Sequence, residues 1–170
     1  FAPKVEWSWN SEGLQVAAEI PVTGLQQPDP RSFWDWTNLE VLVDTSGKAQ
    51  EGWGDQSHQF WFVPVKEGQG WRLYAGEWKR GSAVTGTIYD DARCRTAVRV
   101  QEGRMTLEIL LPAVVLGGHV PVSGTTWLAA VSLQAVSPTG RASAAWPTAK
   151  ASGLLDGTGS WGTVRFVAQD

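Results

Sequence analysis

Apolar and polar residues alternate along most of this chain with a period of two. Residues 5–9 follow it, and residues 14–21 resume it after the turn Asn10-Ser11-Glu12-Gly13. Two short runs across a polar, glycine-containing turn predict a hairpin. In Leu39-Glu40-Val41-Leu42-Val43-Asp44, one face takes Leu39, Val41 and Val43 and the other Glu40, Leu42 and Asp44, because successive strand side chains point opposite ways. Residues 57–63 place His58, Phe60 and Phe62 on a core side and Gln59, Trp61 and Val63 opposite. Further strands are expected at residues 71–76, 85–89, 93–100, 104–111, 126–136 and 162–167, with a hairpin turn at Gln101-Glu102-Gly103. Pro112 ends its strand, and residues 113–118 have room for one turn but not a helix. Residues 22–32, 45–56 and 137–160 read as loops; the second is longer than a hairpin needs, a length that more often serves function than connection. About ten strands with negligible helix, no repeat and no linker predict one all-β domain over residues 1–170, an antiparallel, jelly-roll-like β-sandwich.

The length of 170 residues supports one domain with a good core. The net charge of -3, with no basic block, removes the electrostatic footprint of a nucleic-acid binder. No run approaches the ~18–20 apolar residues of a membrane span, the longest being broken by Glu108 and Pro112. The opening Phe1-Ala2-Pro3-Lys4 lacks the plan of a signal peptide and reads as the start of a mature or excised segment. The domain is therefore expected to be covalently linked to further domains. The single cysteine, Cys94, excludes an internal disulfide and a Cys-rich zinc site, and reads as a small buried hydrophobe.

Eleven tryptophans are far above ordinary usage, and several crowd one stretch: Phe33-Trp34-Asp35-Trp36, then Trp53 in a glycine-rich loop, then Trp61. Tryptophan is costly to leave wet, so the cluster is either core filling or a stacking surface. A sugar site needs a flat aromatic face for C–H groups, and acceptors and amides for hydroxyls. Trp34 as platform, Glu40 as acceptor, and Gln59, Trp61, Trp36 and Trp53 around them meet that need. The core reading must explain why Trp61 alternates with Phe60 and Phe62. Trp7, Trp9, Trp127 and Trp161 read as core or sheet-edge packing, and Trp146 is open to either role. Trp71 and Trp78 stand beside Arg72, Lys79 and Arg80, a setting for partly exposed aromatics with cationic neighbours.

Catalytic signals are missing. His58 and His119 are far apart, with no carboxylate or cysteine at ligand spacing. A glycosidase pair needs carboxyls about 5–9.5 Å apart, and nothing in the pattern of acids proposes one, so the domain reads as a non-enzyme. Asp90-Asp91 are candidate ligands for a structural calcium, which takes about 6–8 oxygens, against a simply solvated turn. No other cofactor is expected.

The order of motifs resembles the family 9 carbohydrate-binding modules and their wider DOMON-like sandwich superfamily. The residues that carry it are Trp34 six positions before Glu40, the run 39–44, Gln59-Phe60, Leu107-Glu108-Ile109-Leu110-Leu111-Pro112, the strand from Trp127, then Trp146, and Trp161-Gly162-Thr163-Val164-Arg165-Phe166. The likeness covers nearly the whole chain from Val5, without the family's extra N-terminal strand region. It implies a non-catalytic domain binding glucan or xylan sugars, often at the reducing end, clamped between two tryptophans with a polar rim. Trp34 matches the first clamp tryptophan and Glu40 the hydroxyl-binding acid. The family's arginine two positions after the glutamine is Trp61 here, and its second clamp tryptophan falls near Leu154 or Leu155. The opposing face is thus expected from Trp61, Trp36 or Trp53, unless sugar binding has been lost. An extracellular or periplasmic location is expected. Two rival readings are a structural accessory domain with no ligand of its own, and a b-type haem electron-transfer domain, which some sandwiches of that superfamily are. The haem reading needs Met105 as ligand, yet Met105 shares a strand face with Leu107, Ile109 and Leu111, a core position.

Overall fold

Two antiparallel sheets account for the alternation. A computed structural model describes residues 1–25, 29–48, 52–78, 87–89, 93–147, 154 and 157–167. The smaller sheet is built from β1 (Lys4–Asn10), β2 (Gly13–Pro21), β7 (Arg95–Gln101) and β8 (Arg104–Pro112), in the order β1-β2-β8-β7. The larger contains β3 (Asn38–Asp44), β4 (Ser57–Glu67), β5 (Gly70–Trp78), β6 (Thr87–Ile88), β9 (Thr126–Ser137), β10 (Gly140–Trp146) and β11 (Gly162–Arg165). Its order is β10-β9-β3-β4-β5-β6, with β11 also beside β9. The chain is an all-β sandwich whose described helical residues are short 3₁₀ turns.

The core forms where the inner faces meet. Leu14, Val16, Ala18 and Ile20 of β2 and Met105, Leu107, Ile109 and Leu111 of β8 pack against Leu39, Val41, Val43, Phe60 and Phe62. Each large side chain buried this way contributes about 1.5–3 kcal/mol. Met105 is fully sealed there, so its sulfur faces core side chains and not a ligand space. Cys94 is buried as expected, and burial pushes its thiol up to about 12. Trp127 and Trp161 are buried, and Trp7 and Trp9 pack half-buried against the core.

Most predicted strands are observed with ends shifted by a few residues, β4 running on to Glu67. The exception is β10, which falls where a loop is expected. Its Arg141-Ala142-Ser143-Ala144-Ala145 run has too little contrast to show a period, and pairing with β9 across the turn at Pro138–Thr139 makes it a strand. β10 and β11 share one edge of β9, pairing with residues 131–137 and 126–129 respectively. Trp146 closes the junction by lying on Gly162, where a Cβ would stand 2.3 Å from the indole.

Candidate functional site

The outer face of the larger sheet gathers the candidate residues. Register sets Glu40 between Trp61 and Ser132, and Gln59 between Leu42 and Trp78. The chain before β3 then crosses this face. Asp29 caps the 3₁₀ segment Pro30–Asp35, accepting a hydrogen bond from the Arg31 amide at 3.0 Å with proline at the first helical position, both ordinary helix-start chemistry. The sheet grips the segment through its backbone. Asn38 Nδ2 donates to the Phe33 carbonyl at 2.5 Å, and Gln134 Nε2 donates to the carbonyls of Trp34 and Trp36 at 2.9 and 2.8 Å. Arg141 donates to the Asp35 carbonyl at 3.1 Å.

A three-ring stack results. Phe33 lies parallel on Trp61, with centroids 5.3 Å apart and planes 3° from parallel, and Trp34 meets Phe33 edge-on at 5.0 Å. Only the last ring reaches solvent: Trp34 is 38% exposed, Phe33 is buried and Trp61 is 0% exposed. The expectation that Trp61 shares an open surface with Trp34 is therefore wrong. Trp61 does point away from the inter-sheet core, as the alternation requires, but Phe33 covers it. Period-two patterning assigns a face of the sheet and says nothing about what crosses that face.

Glu40 sits half-buried on the floor, its Oε2 accepting from Gln59 Nε2 at 2.5 Å. Burial lifts its carboxyl from 4.5 to about 7, partly offset by the Gln59 bond. Gln59 Oε1, Trp61 Nε1 and Asn38 Oδ1 are buried with no protein partner, and a buried polar atom left unpaired costs about 1–3 kcal/mol.

The other wall is a second aromatic group. Trp53, half-buried, meets Trp78 edge-on at 6.3 Å and Trp161 at 5.3 Å. Its loop is pinned where Gly52 and Gly157 bridge; a Cβ on Gly157 would stand 2.6 Å from the Gly52 nitrogen. Leu154 is fully buried beside Leu42, Leu128 and Ala130, and Trp161 Nε1 donates to its carbonyl at 2.8 Å. Leu154 thus supplies no clamp face, and Leu155 lies outside the described residues. Trp36 is half-buried at the end of the 3₁₀ segment, its Nε1 donating to Ser32 Oγ at 3.2 Å. Glu40, Gln59 and Trp61 are thus side by side, with Trp34 above them through Phe33. Trp53 joins the floor through Trp78 and through the cluster around Leu42 and Trp161. Sequence reasoning missed Asn38 and Gln134, which hold the backbone of residues 33–36; Gln134's place on the face of Glu40 is visible only once β3 and β9 are paired.

Asp90 and Asp91 lie outside the described residues. Among the described residues, no group of three or more His, Cys, Asp or Glu side chains is placed to hold a metal ion. His58 does have a carboxylate neighbour, contrary to its sequence surroundings. Its Nδ1 lies 2.8 Å from Glu77 Oε1, and the Tyr89 hydroxyl donates to Glu77 Oε2 at 2.5 Å. Burial, followed by that bond to Glu77, raises the Tyr89 hydroxyl. The His58 ring stacks on Phe60 at 5.5 Å, a structural setting on the inner face.

Two of the larger clefts lie elsewhere. One, about 520 Å³, crosses the outer face of the smaller sheet over Ser8, Gln15, Arg95 and Glu108. The other, about 510 Å³, opens on the flank between Trp7, Val131, Leu133 and Trp146.

No family model and no curated protein sequence matches the chain. Among solved structures it is similar to a family 9 carbohydrate-binding module from Caldicellulosiruptor kristjanssonii in complex with glucose. That match has 12% identity and a TM-score of 0.68, and covers 99% of this chain and 78% of that one. The cellotriose complex of a family 9 module from that organism gives 12%, 0.65, 99% and 76%. A Bacteroides uniformis structure assigned to carbohydrate binding gives 14%, 0.56, 96% and 78%. The fold is that of a family 9-like carbohydrate-binding module.

Proposed function

We propose that this domain binds carbohydrate, without catalysis, on the outer face of the larger sheet beside Trp34. The observation that carries the reading is an indole held out to solvent by three side chains of the sheet, above a floor with a half-buried carboxyl. Trp34 is the stacking platform, Glu40 meets hydroxyls, Gln59 orients Glu40 from beneath, and Trp61 is the bed of the stack and not a contact. Trp36 and Trp53 flank the floor. The similar folds bind glucose and cellotriose, so glucan or xylan chains are the first ligands to try. An extracellular or periplasmic setting, linked domains and a structural calcium at Asp90-Asp91 accompany this reading.

The sealed Trp61 and buried Leu154 favour one rival, an accessory domain that lends contacts to its parent protein and binds nothing. Titration with cellotriose and xylotriose, followed by tryptophan fluorescence, separates the two. The proposal expects a saturable change with one of them that Trp34→Ala abolishes. A flat response to both in the wild-type domain overturns it.

A further inference from the structure

Glu40 and Gln59 form a pair whose hydrogen-bond accounting is incomplete without a proton. Gln59 Nε2 donates to one Glu40 oxygen, while Gln59 Oε1 is buried with no donor. An ionised carboxylate offers only acceptors, whereas a carboxylic acid offers one O–H. Reversing the amide would set its oxygen against a carboxyl oxygen, which requires the same proton. Within the pair, only the protonated form has a hydrogen to offer an amide oxygen.

The surroundings give the charged form little support. Glu40's cross-strand neighbours are Trp61 and Ser132. On β3 the next ionisable group of this face is Asp44, buried and occupied by Ser46 and Ser57. β4 contributes Gln59, Trp61 and Ser57 to the face; β9 contributes Ser132 and Gln134; and β5 contributes Trp78. The 3₁₀ segment carries Asp35 and, at its start, the exposed Asp29–Arg31 pair. Arg141 of β10 is engaged with the Asp35 carbonyl. The position two residues after Gln59 is an indole, fully buried, where a cation would hold the carboxylate ionised.

We infer that Glu40 holds a proton shared with Gln59 and that this proton gates the site, ligand binding best while the pair is neutral. The inference rests on the carbohydrate reading for its ligand but not for the proton. With the pair neutral, the half-buried Glu40 carboxyl meets a sugar hydroxyl with no charge to desolvate, and Gln59 holds it from beneath. Once ionised, the pair has no hydrogen for the buried Gln59 Oε1, and covering the carboxylate with a sugar removes the water that tolerates its charge. Burial lifts the Glu40 carboxyl to about 7, which puts the change near neutrality. If the neutral form alone binds, the apparent dissociation constant scales inversely with its population and rises about tenfold between pH 6 and pH 8.

Two measurements on the intact domain test this. Cellotriose titrations at pH 5, 6, 7 and 8 should weaken about tenfold across the last two units. Glu40→Gln, which keeps an amide–amide pair, should flatten that profile. Carbon-13 NMR of the Glu40 side-chain carboxyl, without ligand, should show a midpoint near neutrality. A wild-type affinity that is constant or tightens with pH overturns the gate. A midpoint in the ordinary carboxylate range overturns the shared proton. No cellotriose binding at any pH overturns the carbohydrate reading and the gate with it, while the carboxyl midpoint still decides the pair.

Discussion

Replacing Glu40 with glutamine should stabilise the domain at alkaline pH and leave it nearly unchanged in acid. A carboxyl that titrates at 4.5 in the unfolded chain and about 7 in the fold binds its proton more tightly in the fold. Its contribution to stability is full below the unfolded value and is lost as pH rises through about 7. One pKa unit is about 1.36 kcal/mol, so the loss approaches about 3 kcal/mol by pH 8, against a whole-domain stability of about 5–15 kcal/mol. Most buried carboxylates with cationic partners give the opposite slope. Glu40→Gln keeps the shape and an amide donor but carries no charge to desolvate. Urea denaturation of both proteins, read by tryptophan emission at pH 4.5, 6, 7 and 8, isolates the effect, because every other titrating group cancels in the difference. The variant should gain up to about 3 kcal/mol on wild type at pH 8 and nothing at pH 4.5. Parallel curves, or a variant less stable at pH 8, would refute a protonated Glu40 held by its surroundings.

Trp34 and Trp61 should separate cleanly. Trp34→Ala loses ligand at a stability cost of about 1 kcal/mol, the range of a partly exposed side chain. Trp61→Ala empties a sealed site and costs about 3–5 kcal/mol, seen as a large drop in urea midpoint. Trp61→Phe, which removes the unpaired buried Nε1 along with some ring volume, should cost far less than the alanine. Gln134→Ala releases the carbonyls of Trp34 and Trp36; it should weaken binding and speed amide exchange in the 3₁₀ segment while leaving core exchange slow. Gly162→Ala drives a methyl into the Trp146 indole and should cost about 1–3 kcal/mol in thermal or urea unfolding.

The fold was legible wherever contrast between adjacent residues was high. Leu39 to Asp44 and His58 to Phe62 announce both their strands and their faces, and the inner residues Val41, Val43, Phe60 and Phe62 are fully buried. β10 was not legible, because alanine and serine give no contrast and a cross-strand partner decides the matter. At the site, the grouping of Glu40, Gln59 and Trp61 followed from alternation once β3 and β4 are taken as paired. The cover over Trp61 did not, since it comes from a proline-led turn whose path is set by Asn38 and Gln134, the latter about a hundred residues away. The second wall was hidden for the same reason: Trp53, Trp78 and Trp161 come from three separate segments.

The most direct measurement is a proton–nitrogen NMR titration of the domain with cellotriose, with the tryptophan indole and glutamine side-chain signals assigned. Binding beside Trp34 predicts saturable shifts at the Trp34 indole, the Gln59 amide and the backbone of residues 33–40. Shifts confined to Trp7 and Trp146 on the flank, or to Gln15 and Arg95 on the smaller sheet, would contradict it.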